Sequence, residues 1–153
     1  MKKLLLATVL LCAAAPAQAA QEVRLWHAMS GPLGVELDRL VARFNASQKD
    51  YRVVSFFQGP YDAVLADDIE LRKGTARSPH IVQVQDAATA DMMRSGAALP
   101  LWRVMQELGA GREARYLPAV SAYFADDEGR LLALPFNIST PVLYYNRDAF
   151  REA

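Results

Sequence analysis

The spacing of apolar residues switches repeatedly between a strand-like period of two and a helix-like period near 3.6. Val23-Arg24-Leu25-Trp26 predicts a short strand. Over residues 31–47, Leu33, Leu37, Leu40, Val41 and Phe44 fall on one helical face. Ser30-Gly31-Pro32 before them has the form of an N-cap with proline at the first helical position. Residues 51–57, YRVVSFF, are rich in β-branched and aromatic side chains and predict a second strand. Residues 61–73 predict a second helix with Val64, Leu65, Ile69 and Leu71 as core candidates, ended by Gly74 and by Ser78-Pro79. His80-Ile81-Val82-Gln83-Val84 predicts a third strand, followed by an alanine-rich helical stretch through Asp91, Met92 and Met93. This β-α-β-α-β-α order favours a mostly parallel sheet with helices on both faces.

After Gly96 the pattern changes. Residues 101–108 read as helical, 113–124 as mixed, and Asp126-Asp127-Glu128-Gly129 as an acidic turn. Two further extended runs follow, 130–135 and 142–146, and a helix begins at Arg147. No repeat, linker or low-complexity run interrupts the chain.

The first residues follow a different logic. Lys2 and Lys3 precede an uncharged apolar run over residues 4–15, Pro16 breaks it, and Ala17-Gln18-Ala19 has the small-x-small form of a cleavage site. The run falls short of the roughly 20 residues a membrane-spanning helix needs. A signal peptide over 1–19, cleaved after Ala19, is expected, with export to the periplasm. Cys12 lacks the small preceding residue of a lipoprotein site, because Leu11 stands there. Cleavage removes Lys2, Lys3 and Cys12, the single cysteine, so the mature protein is slightly acidic and free of disulfides.

The whole chain has 153 residues, 17 Lys+Arg against 17 Asp+Glu, and is 52% hydrophobic. That composition is globular, and at about 100–200 residues per domain it accommodates one domain. Zero net charge and a pI near 6.7 speak against nucleic acid and against a polybasic membrane anchor. The remaining histidines, His27 and His80, offer no metal-ligand spacing. No phosphate-binding glycine loop and no GxSxG elbow is present. No enzyme, metal or cofactor is therefore expected.

Several aromatic and polar residues follow the C-terminal ends of the predicted strands, the edge at which open α/β sheets bind ligands. Trp26-His27 follows the first, Gly59-Pro60-Tyr61 the second and Gln85-Asp86 the third, while Asn137-Ile138-Ser139-Thr140 lies between the two late runs. An aromatic face, a carboxylate and a hydroxyl suit a small polyol. Each also has a plain structural explanation. Trp26 is core or pocket wall, His27 makes a structural hydrogen bond, Tyr61 staples a helix, Asp86 caps one and Ser139 closes a turn before Pro141.

These residues carry a family resemblance. Leu25-Trp26-His27, Arg43-Phe44-Asn45-Ala46, Gly59-Pro60-Tyr61, Ile81-Val82-Gln83-Val84 and Ala88-Thr89-Ala90 with Met92-Met93 contribute to it. So do Pro118-Ala119-Val120-Ser121, Pro135-Phe136-Asn137 and Ser139-Thr140-Pro141-Val142-Leu143-Tyr144-Tyr145-Asn146. Together they resemble the glycerol-3-phosphate-binding branch of the extracellular solute-binding family of ABC importers, which is maltose-binding-protein-like. The resemblance runs over the whole mature chain. It implies a periplasmic protein that binds sn-glycerol-3-phosphate and delivers it to permease and ATPase subunits of an inner-membrane importer.

Carried over position by position, the resemblance implies ligand contacts at Tyr61, Asp86 and Ser139, with Trp26 and His27 as pocket wall. Tyr61 would pack on or hydrogen-bond the ligand, Ser139 would offer a hydroxyl, and Asp86 would accept from a glycerol hydroxyl. The family usually has Glu where Asp86 stands, one methylene longer, which opens a sugar or glycerophosphodiester as the alternative ligand. The family also has two lobes that close on a hinge. Residues 20–153 correspond to an incomplete N-terminal lobe, with the phosphate-facing arginine in the missing part. That implies impaired binding, and a non-functional gene fragment is the rival from another class.

Overall fold

The computed structural model describes residues 19–66, 71, 74–109 and 116–153. The expected signal peptide lies, but for Ala19, outside the described residues. β1 (Gln21–His27) is the central strand of a three-stranded sheet of order β2-β1-β3, with β2 spanning Tyr51–Phe57 and β3 Ile81–Val82. Both neighbours run parallel to β1, with Val23 opposite Val53 and Leu25 opposite Ile81. Parallel neighbours require crossover connections. Between β1 and β2 the crossover is α1 (Gly31–Ser47), and between β2 and β3 it contains α2 (Tyr61–Ala66). The fold is thus the α/β arrangement the hydrophobic periods imply, a parallel sheet flanked by helices.

The differences have local causes. β1 begins two residues before Val23, at Gln21 and Glu22, which are exposed and carry no apolar signal. They are held by pairing with Tyr51 and Arg52. β3 is regular over two residues, although His80 N–H donates to Arg24 O (2.9 Å) and Gln83 N–H to Trp26 O (2.8 Å) on either side of it. α1 buries Leu37, half-buries Leu40 and Val41, and leaves Leu33 62% and Phe44 44% exposed. That helix packs against β2, and one strand is narrower than the apolar stripe presented to it. Ser30 precedes α1 without a side-chain cap. Its carbonyl instead accepts from Gly34 N–H at 3.3 Å. Of the predicted continuation of α2, residues 67–70 and 72–73 and the side chain of Leu65 lie outside the described residues, while Leu71 is helical and half-buried.

The later half is built of short pieces. A 3-10 turn, Asp86–Ala88, runs into α3 (Thr89–Ser95), which Gly96 ends in the left-handed conformation at φ 71°. α4 (Leu101–Glu107) and α5 (Pro118–Tyr123) follow, and α6 (Arg147–Glu152) closes the chain. Asn146 caps α6, its Oδ1 accepting from Asp148 N (3.0 Å) and Ala149 N (3.2 Å). The acidic turn at 126–129 closes a small antiparallel pairing of Ala125 with Leu131. Carbonyls of Leu131 and Leu132 then accept the first N–H groups of α4, from Trp102 and Leu101, at 2.9 Å each.

Apart from that bridge, the two late extended runs join no strand among the described residues. Leu143 is 86% and Tyr144 91% exposed. Strand-forming residues become a strand when a neighbouring backbone pairs with them, and among the described residues none pairs with 142–146. The buried apolar side chains are Trp26, Met29, Leu37, Val64, Met92 and Phe124.

Candidate functional site

The three strands end on one edge of the sheet, at His27, Phe57 and Val82. Backbone bonds knit the chain just beyond that edge. Gln58 N–H donates to His27 O (3.0 Å), and Gln83 N–H donates to Trp26 O. Trp26 and His27 are both buried under these connections. The His27 imidazole lies 5.9 Å from the Phe57 ring and accepts from Met29 N–H on Nδ1 (3.2 Å). Burial disfavours the imidazolium and holds His27 below its ordinary pKa, against the opposing pull of the Asp38 carboxylate.

Tyr61 owes its place to the turn before it. Gly59 adopts φ 93°, a conformation that side chains disfavour, and Pro60 follows to start α2. Pro60 O accepts from Ala63 N (2.9 Å), and Val64, with no exposed surface, anchors the helix in the core. Tyr61, at the first position of α2, is left half-buried over the sheet edge.

The hub of the arrangement is Gln83, the first residue after β3. Its Oε1 accepts from Ala28 N–H, just past β1, at 3.1 Å. Its Nε2 donates to the Tyr61 hydroxyl at 3.4 Å and to Asn137 Oδ1 at 3.3 Å. One carboxamide therefore joins the end of β1, the start of α2 and the late loop. Gln83 stands three residues before Asp86, and Asn137 two before Ser139. The three segments that carry Tyr61, Asp86 and Ser139 thus converge on a single side chain.

Asp86 is half-buried at the start of the 3-10 turn, where Oδ1 accepts from Ala87 N–H at 2.9 Å. That is a helix-start contact, as its position implies, and its Oδ2 has no partner among the described residues. Ser139 is exposed, and its hydroxyl is likewise without a partner there. Gln83 is not among the sequence-based candidates, and Asn137 enters only as part of the stretch 137–140. The available signal was a glutamine interrupting the apolar run Ile81-Val82-Gln83-Val84 at the strand's C-terminal end. Among the described residues no three His, Cys, Asp or Glu side chains gather as a metal site. No described helix is long and apolar enough to cross a membrane.

No family model matches the chain. It is 45% identical, over 139 residues, to the sn-glycerol-3-phosphate-binding periplasmic protein UgpB of Escherichia coli strain K12, a stretch that covers 90% of this chain and 32% of that one. The protein of the same name from Shigella flexneri serotype 5b matches to the same extent. The one from Escherichia coli O6:K15:H31 matches at 45% over 141 residues, 91% of this chain and 32% of the relative. The chain spans about a third of the length of these curated relatives.

Proposed function

We propose that the chain belongs to a periplasmic binding component of an ABC importer, taking up sn-glycerol-3-phosphate and handing it to an inner-membrane permease, with no catalytic activity of its own. The observation that carries this reading is the convergence of the Tyr61, Asp86 and Ser139 segments on Gln83 at the C-terminal edge of a parallel sheet. The 45% identity to proteins named for binding that ligand supports it. Tyr61 covers and hydrogen-bonds the ligand, and Ser139 supplies a hydroxyl. Asp86 accepts from a glycerol hydroxyl through its free oxygen, and Trp26 and His27 back the site as its wall. A phosphate dianion calls for charge-assisted partners, arginine above all. Those come from a second lobe that closes over this one by a hinge motion.

Calorimetric titration of the two-lobed protein, with this chain as its first lobe, against glycerol-3-phosphate and separately against maltose tests the proposal. Heat with the phosphate ester and none with the sugar is the expected result. Heat with maltose alone transfers the site to sugars, which the short reach of Asp86 makes the competing ligand class. Heat with neither overturns the proposal.

A further inference from the structure

We infer that Gln83 sets the hydrogen-bond polarity of this site: Tyr61 and Asn137 accept from its –NH2 end, which leaves the Tyr61 O–H and the Asn137 –NH2 to donate to acceptor oxygens of a ligand. The identity of the ligand rests on the function proposed above. The polarity does not, because it is set by hydrogen bonds within the chain.

The two ends of a carboxamide are told apart by their partners. Ala28 N–H can only donate, so the Gln83 atom 3.1 Å from it is the oxygen. The –NH2 end then faces Tyr61 Oη and Asn137 Oδ1. That nitrogen carries two hydrogens and accepts nothing. Tyr61 must therefore accept from it, which leaves the phenol proton for a ligand. Asn137 must present its oxygen to it, which leaves the Asn137 –NH2 to donate outward.

At 3.3 and 3.4 Å these bonds are longer than the usual 2.9–3.0 Å, so they orient the two side chains more than they stabilise the fold. Asp86 adds a free acceptor on the neighbouring segment. Two donors, and a carboxylate three residues after Gln83, suit a ligand with an acceptor-rich end and a hydroxyl-bearing end. A phosphate ester of a polyol has that division. A free polyol, all of whose hydroxyls both donate and accept, does not. Gln83 is on this account a specificity-determining positioning residue.

The test uses the 15N-labelled full chain. Without ligand, the two Gln83 side-chain amide protons are identified by their loss in Gln83→Glu. Tyr61→Phe should shift one of them and Asn137→Ala the other. With glycerol-3-phosphate, Gln83→Glu, which replaces the donor by acceptors, and Asn137→Asp, which turns the outward donor into an acceptor, should each weaken binding by about ten-fold or more. Asn137 is exposed, so Asn137→Asp carries the affinity measurement even where Gln83→Glu fails to fold. Amide protons indifferent to both neighbours, or Asn137→Asp binding as tightly as the unaltered chain, overturns the inference. Should the two-lobed protein bind no glycerol-3-phosphate, the functional reading fails, and the amide resonances alone decide the polarity.

Discussion

The side chain of Asn45 in α1 completes the outer edge of β2 by bonding Val53 twice: Nδ2 donates to Val53 O and Oδ1 accepts from Val53 N–H, both at 2.8 Å. β2 is an edge strand, and Val53 turns both backbone groups away from β1. The asparagine amide stands in for the strand that would otherwise pair there. Asn45→Ala leaves a partly buried donor and acceptor without partners. It should cost about 1–3 kcal/mol in urea unfolding. A loss within error of zero would mean that water replaces the amide at no penalty.

Leu37 and Val35 share α1 but face opposite surroundings, at 6% and 71% exposure. Leu37→Ala should destabilise by about 2–5 kcal/mol, while Val35→Ala stays within about 0.5 kcal/mol of the unaltered chain. Similar losses for the two variants, by thermal or denaturant unfolding, would contradict the packing of α1 on β2.

Thr89 opens α3 with its hydroxyl buried and without a hydrogen-bond partner among the described residues. Thr89→Val keeps the shape and removes the unpaired group, so it should be neutral or stabilise by up to about 1 kcal/mol. A clear loss of stability would show that the hydroxyl has a water or ligand partner.

The depressed pKa of His27 predicts a definite pH dependence. Its burial, the leading cause, keeps the folded form neutral, so the unfolded chain takes up the proton more readily. The contribution is fully present above the unfolded value of 6.5, declines as pH falls below it, and levels off beneath the folded pKa. His27→Gln should therefore flatten the stability profile as pH falls from neutral through 6.5, relative to the unaltered chain. Parallel profiles for the two proteins would refute the assignment.

Gly59 is held at φ 93° in the turn that launches Tyr61. Gly59→Ala should cost about 1–3 kcal/mol from backbone strain alone, the nearest side-chain atom, Ala63 Cβ, being in ordinary contact at 3.5 Å. Unfolding of Gly59→Ala at the denaturant midpoint of the unaltered chain would place the turn in a different conformation.

Much of the fold was legible in the sequence because its signals are local. The β-branched run YRVVSFF became β2 with its bounds intact, and Arg147 begins a helix as expected. What the sequence hid depends on neighbours. Gln21 and Glu22 are strand because Tyr51 and Arg52 pair with them, whereas Val142, Leu143 and Tyr144 have strand-like side chains but no pairing strand among the described residues. The site divides in the same way. Tyr61, Asp86 and Ser139 stand out by following strand ends or closing turns. Gln83 is distinguished by having partners in three distant segments, which no spacing along the chain reveals.

The convergence of those segments is tested most directly by mapping backbone amide shifts of the 15N-labelled chain while glycerol-3-phosphate is raised into the millimolar range, where a Kd of 1 mM corresponds to about −4.1 kcal/mol. The account predicts saturable shifts clustered at Tyr61, Gln83, Asp86 and Asn137 through Ser139, with one common midpoint. Shifts scattered over unrelated surfaces, or confined to one of the three segments, would contradict it.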